Sequence, residues 1–340
     1  MNYEDFVQQM IEGLEGPLSD RFGKMEIRIR DVRKLQNASY EGVTFRPESS
    51  PVGMTIDFRG KFEAYKEGKT LSEIRWDVLK EVERGLEELP RIDVEAIRDY
   101  SAVKEHLTMQ IVSTAANVDR LGNVPHVEMQ DMSVVYRLEL GESPYGCMTT
   151  LITNEMLEEF GISAEQLHRD ALENAPKLHP LEIISMRSFM MQSYDTEIPE
   201  ASGSPELLIA STEEKRLGAS VIAYPNFFEE AARAAGGDYF ILPSSIHELL
   251  LLRDNGTMDA RELEEMVTSI NNSIVDPEER LTDNVYRYDT KLHLLETGRE
   301  FIERTAGREK DSVLNDLKEK EAQVRPPSAR TVSSKKDPVI

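Results

Sequence analysis

Residues 124–140 read VPHVEMQDMSVVYRLEL, and the phase of their alternation decides what kind of fold follows. Val127 and Met129 are apolar at odd positions, but from Met132 onward the apolar set is even: Met132, Val134, Tyr136, Leu138 and Leu140. Period-two alternation marks a strand with one buried face. A one-residue change of phase is what a β-bulge produces, so the expectation is one long strand bulged at Gln130-Asp131. GESPYG then turns the chain into CMTTLIT, which predicts a hairpin.

Toward the N-terminus, residues 3–15 have the spacing of an amphipathic helix, with Phe6, Val7, Met10, Ile11 and Leu14 on one side. KMEIRIRDV alternates strictly, and YEGVTFRP and GMTIDF follow as short strands, which predicts an antiparallel meander. Thr70 and Glu73 form a capping box ahead of a helical stripe from Leu71 to Leu86. Val103, Leu107 and Ile111, spaced by four, predict a second helix over 95–115.

Toward the C-terminus, NEMLEEFGISAEQLHRDALENA reads as helix, break, helix, with Ser163 and Gln166 as a second capping box. A helix is expected over 181–192, strands at LLIAS, ASVIAY and DYFILP, and helices after Asn226 and Asp259. Residues 291–323 read as a charged helical extension, and 324–340, rich in Pro, Ser and Lys, as a disordered tail. The predicted fold class is α+β: an antiparallel sheet of several hairpins, helices mainly on one face, and one globular domain over 1–290 with a subdomain division near 120–125.

Composition narrows the function classes. The 63 acidic residues against 40 basic ones give a charge of −23, a field that repels phosphate backbones and anionic lipid, so neither nucleic acid nor membrane is expected as a partner. The single cysteine, Cys147, excludes an intrachain disulfide and a Cys-based zinc site, which suits a reducing cytoplasm. MNYEDFVQQMIEGLEG lacks the apolar region of a secretion signal.

Two motifs fail on their own chemistry. EGKT at 67–70 resembles the end of a phosphate-binding loop, but position 63, where that loop needs Gly, is Glu. The pair of helices around Gly161 has helix-turn-helix spacing, yet Arg169 stands against Glu165, Asp170 and Glu173 on the helix that would read DNA.

Two clusters remain as candidates. His126, Glu128 and Asp131 could face one side of the bulged strand and bind a divalent ion or share a proton. In YFILPSSIHELLLL, residues 239–252, Ser245, His247 and Glu248 have the residue types of a catalytic triad. Sequence neighbours rarely point at one another, however, and the short span before the DNG turn favours strand-turn-strand. The Met residues of SMRSFMM read as core filler.

The succession VPHVEMQDMSVVYRLEL, ITNEMLEEFGISAEQLHRDALENA, GDYFILPSSIHELLLL and MVTSINNSIVDPEERLTDNVYRYD resembles a domain family of unknown function over roughly residues 1–290. That family is common in Gram-positive anaerobes of the gut, often among genes of mobile elements. The resemblance implies no activity, cofactor or catalytic residue. Two functions are therefore carried forward. One is a cytosolic, non-enzymatic accessory or regulatory protein with another protein as partner. The other is a hydrolase or metal-dependent enzyme using His126, Glu128 and Asp131 with Ser245, His247 and Glu248. The cofactor and the oligomeric state are left open.

Overall fold

The first 20-residue helix, α1 (Tyr3–Phe22), begins where the Asn2 side chain accepts from the Asp5 N–H at 2.7 Å. This is a computed structural model; it describes residues 1–33, 35–36, 39–89, 97–143, 146–194 and 206–306. The apolar side of α1, Phe6, Val7, Met10, Leu14 and Leu18, is buried on the expected meander β1 (Met25–Arg33), β2 (Ser39–Pro47) and β3 (Met54–Asp57). A short helix, α2 (Arg59–Lys66), leads to α3 (Leu71–Glu87), which starts with both halves of the Thr70/Glu73 capping box formed. Ile74, Val78 and Val82 of α3 close this core with Phe45 and Phe58.

The next segment departs from the helix expected over 95–115. Among the described residues the helical part there is short, residues 97–98, α4 (Tyr100–Val103) and a 3₁₀ turn over Lys104–His106, and β4 (Leu107–Ser113) follows. Spacing by four satisfies a strand face as well as a helix face, because four is twice the strand period and close to one helical turn. Leu107, Met109 and Ile111 share the buried face. After α5 (Val118–Leu121) comes the quoted stretch, and it is a hairpin, not a bulged strand. β5 (His126–Met129) pairs antiparallel with β6 (Met132–Ser143), Met129 opposite Met132. Gln130 takes φ 57°, and the chain reverses in two residues. The change of phase marks the passage from one strand to its neighbour. The bulge lies further on, between Glu139 and Gly141, where β6 pairs with β7 (Gly146–Leu151).

The helix pair α6 (Asn154–Phe160) and α7 (Ala164–Leu178) packs through Leu157, Leu167, Ala171 and Ala175 onto the main core. Residues expected to be helical over 181–192 divide into β8 (Leu181–Ser185) and α8 (Met186–Tyr194). β9 (Leu207–Thr212) is followed by buried 3₁₀ turns over Gly218–Ala223 where ASVIAY predicted a strand. That run is buried along its length and has no alternation to separate the two states.

Next come α9 (Phe227–Ala235), β10 (Tyr239–Leu242), β11 (Leu249–Arg253), α10 (Ala260–Ser273), β12 (Tyr286–Asp289) and β13 (Leu294–Thr297). YFILPSSIHELLLL is strand-turn-strand, as expected.

The fold is α+β with antiparallel pairing, and the described strands form three sheets: β1-β2-β3, β4-β6 with β5 and β7, and β13-β12-β10-β11-β9-β8. The second and third share one large apolar cluster, including Tyr136, Ile241 and Tyr286. The N-terminal sheet has its own. Residues 298–306 are helical, and beneath them Arg287, 6% exposed, pairs with Asp238 and Asp254 at 2.7 Å each and stacks on the Phe301 ring at 4.3 Å. The remainder of the expected extension and the tail lie outside the described residues. No helix among the described residues is long and apolar enough to cross a membrane.

One buried amide joins the N-terminal sheet to the rest. Gln36, 4% exposed in the loop between β1 and β2, donates from Nε2 to the Arg280 carbonyl. Its Oε1 accepts from Asn117 Nδ2 at 2.6 Å and Ser113 N at 3.0 Å, and its N–H donates to Asn117 Oδ1 at 2.7 Å. Leu35 beside it packs with Val112, Leu121, Val124 and Val135. Gln36→Ala leaves one Asn117 Nδ2 hydrogen and the Ser113 N–H without their acceptor, so it should lower stability by about 1–3 kcal/mol in urea unfolding. An unchanged midpoint would show that the joint is replaceable by water.

Candidate functional site

β6 supplies the site through its odd residues. The even set, Met132, Val134, Tyr136 and Leu138, fills the shared core, so Arg137 and Glu139 project from the opposite face. Cross-strand pairing adds Thr108 and Gln110 of β4 and Thr149 and Leu151 of β7 to that face. Leu35 and its apolar neighbours cover one end. The remainder is a cleft of about 1270 Å³, bounded by the hairpin tip at Leu35-Gln36, the segment Thr212–Leu217 after β9, and residues 276–279. Gly218 keeps the second wall close, since a Cβ there would meet Ser211 Oγ and the His247 carbonyl.

Two histidines face this space. His179, just after α7, lies between carboxylates, with Nε2 2.5 Å from Glu139 Oε1 and Nδ1 3.1 Å from Glu214 Oε2. Both ring nitrogens lie against carboxylate oxygens, a setting that favours the imidazolium. The Glu139 hydrogen bond raises its pKa above the ordinary 6.5, burial opposes this, and the charges of Glu139 and Glu214 add to the rise. His247 differs: Nδ1 accepts from the Leu217 N–H at 3.2 Å, which leaves Nε2 to donate to Glu279 Oε1 at 3.2 Å. Arg137 is the third ionic group. It donates from Nε to Thr149 Oγ1 at 2.7 Å and from Nη1 to Gln110 Oε1 at 3.0 Å, both neutral acceptors. Burial, then the nearby Arg216, pushes its pKa down.

The residues singled out from sequence fall in three places. Among Ser245, His247 and Glu248, only His247 lines the cleft. The Ser245 hydroxyl accepts from the His247 N–H at 3.0 Å, and the imidazole meets Leu217 and Glu279, so the structure does not bring serine and ring together. Burial raises the pKa of the Glu248 carboxyl, with nearby His247 opposing and Glu279 adding.

His126 and Glu128 pair with Val135 and Ser133, which puts them on the Arg137 face but outside the cleft lining. His126 Nδ1 is 3.0 Å from the Val124 carbonyl, and Glu128 is exposed. Asp131, at the hairpin turn, accepts from Thr282 Oγ1 at 2.5 Å, Asn284 Nδ2 at 2.8 Å and the Tyr286 hydroxyl, tying this hairpin to the strand β12 of the other sheet. Among the described residues no group of three His, Cys, Asp or Glu side chains could hold a metal ion. Arg137, Gln110, His179 and Glu214 are the residues that sequence reasoning missed. The available signal was that Arg137 and Glu139 share the face opposite the even apolar set.

The chain matches one family model, Family of unknown function (DUF5688), over residues 3–290. No curated protein and no solved structure matches it.

Asp131→Ala leaves the buried Tyr286 hydroxyl without its acceptor and should cost about 1–3 kcal/mol in urea unfolding, with Asp131→Asn intermediate. A loss no larger than that of an exposed control, Glu128→Ala, would remove Asp131 as the tie between the sheets. The His179 contacts predict a pH dependence. A raised folded-state pKa contributes stability that is full below the ordinary 6.5 and lost as pH rises through the raised value. The stability difference between wild type and His179→Ala should therefore be largest near pH 6, on the order of 1 kcal/mol for a partly exposed ring, and shrink toward pH 9. A difference independent of pH would mean that the ring is neutral.

Proposed function

The chain belongs to the DUF5688 family of unknown function, and we propose from its cleft that it acts by recognition: an accessory or regulatory protein that binds a segment of another protein. One observation carries this reading. The cleft, about 1270 Å³, exceeds the roughly 300–1,000 Å³ of ordinary small-molecule sites and is lined by charged and polar groups of both signs. An extended polypeptide, with alternating donors and acceptors and side chains of mixed charge, suits such a lining. The ring contacts of His247 and the Ser245 hydrogen bond to backbone favour binding over nucleophilic chemistry at this corner. The setting that goes with this reading is the reducing cytoplasm of a Gram-positive gut anaerobe, with the gene carried among mobile elements.

The alternative, a hydrolase or metal-dependent enzyme using His126, Glu128 and Asp131 with Ser245, His247 and Glu248, draws on the raised pKa of Glu248. A carboxyl whose pKa is raised by burial, next to a histidine in the chain, is a candidate acid.

The test uses the single cysteine. Cys147 lines the cleft and can carry a thiol-reactive photo-crosslinker without any substitution. Glu278→Cys in a Cys147→Ser background places the same probe on the facing loop, and Glu12→Cys places it on exposed α1. Irradiation in host lysate should give the same crosslinked polypeptide from both cleft positions, displaced by unlabelled protein, and none from position 12. Equal products from all three positions, or none from the cleft, would sink the recognition reading.

A further inference from the structure

Arg137 has five N–H groups, and two of them have acceptors, Thr149 Oγ1 and Gln110 Oε1. One hydrogen on Nη1 and both on Nη2 remain, enough for an end edge that takes one hydrogen from each Nη. That edge matches two oxygens of one carboxylate or phosphate. No carboxylate lies within ion-pair distance of Arg137 among the described residues, although Glu139, Glu214, Asp276, Glu278 and Glu279 line the same cleft. Of these acids, Glu139 and Glu214 are held on His179 and Glu279 on His247.

Arg216, on the opposite wall, is exposed and also has no ion pair among the described residues. It is close enough that its charge acts on Arg137. Two guanidiniums lining one cleft with no carboxylate in ion-pair contact are unfavourable, the more so for the partly buried one. A chain with 63 acidic residues could have matched them many times over, yet three of the five acids of the cleft are directed to the histidines. A third group of the cleft lining is unmatched: Thr212 is 2% exposed and its hydroxyl meets no partner.

We propose that Arg137 and Arg216, with Thr212 of the same cleft lining, form a receptor for one oxyanion, a carboxylate or phosphate group carried by the molecule that enters the cleft. An oxyanion between the two forks accepts from both guanidiniums, relieves their repulsion and offers the Thr212 hydroxyl an acceptor. Gln110 and Thr149 orient Arg137 by fixing its Nε and Nη1 donors. The inference rests on the recognition reading in taking the cleft as the binding surface, and it adds the chemistry that the partner must present.

Isothermal titration of the full chain with inorganic phosphate, with succinate and with a hexaglutamate peptide, at constant ionic strength against a chloride control, tests it. At least one of the three should bind. Arg216→Ala, at an exposed position, should weaken that binding by about tenfold or more, as should Arg137→Lys, which keeps the charge but loses the fork. Saturation by phosphate or succinate assigns a free small anion, and binding of the peptide alone assigns an acidic side chain of a polypeptide. No binding above chloride, or equal binding by Arg216→Ala, overturns the receptor. Should the anions fail while the probes at 147 and 278 still capture one polypeptide, the receptor is wrong and the recognition reading stands. Anion binding without capture does the reverse.

Discussion

β6 carries one constraint that its surroundings obey: side chains two residues apart share a face, and adjacent ones do not. The strand pairs with β4 along one edge and with β5 and then β7 along the other. Its even residues are committed to the apolar core shared by two sheets. Its odd residues must then occupy the opposite face of a sheet that is already paired on both sides. Slipping the register by one residue would exchange Tyr136 and Leu138 for Arg137 and Glu139 and put two charges into the core, so the register is strongly fixed.

Polar contacts add direction to this packing. Asp131 draws the β5–β6 turn to β12, and Gln36 draws the N-terminal hairpin to the end of β4. The Arg287 pairs hold neighbouring strands together around one buried cation. Apolar burial is non-directional, so it fixes which faces meet but leaves their sliding free. Buried hydrogen bonds with a single good geometry remove that freedom, because a shift of an ångström leaves a donor unmatched.

Much of the fold class was legible and less of the site. The meander at 25–57, the Thr70/Glu73 capping box, the Ser163 cap and the strand-turn-strand at 239–252 follow from local pattern and local chemistry. The hairpin at 130–131 was read as a bulge because Gln130 turns the chain at φ 57° without the Gly or Asn that usually marks such a turn. Val103, Leu107 and Ile111 fit two periods at once, and ASVIAY fits none. The site was harder for a different reason. A charge on the polar face of a strand reads as a solvent-facing residue, and Arg137 becomes a cleft wall only when residues 35–36, 212–217 and 276–279 close over it. Those contacts join segments more than sixty residues apart, and no local pattern encodes them. Ser245 and His247 are neighbours in sequence, but the ring partners of His247 are Leu217 and Glu279, from segments that local pattern does not connect to it.

The cleft owes its extent to how far the N-terminal hairpin reaches. Leu35 covers the apolar strip of Val112, Leu121, Val124 and Val135 on the outer face of the four-stranded sheet. Beyond Leu35 the same face changes to Thr108, Gln110, Arg137 and Thr149, and there the cover stops. An apolar tip cannot extend over a guanidinium without desolvating it, and a polar face cannot replace the strip beneath Leu35 without exposing the valines. The boundary between covered and open surface is therefore written in β4 and β6 themselves, at the step from Val112 to Gln110 and from Val135 to Arg137. The N-terminal sheet, which contributes nothing to the main core, shapes the site by ending at that boundary.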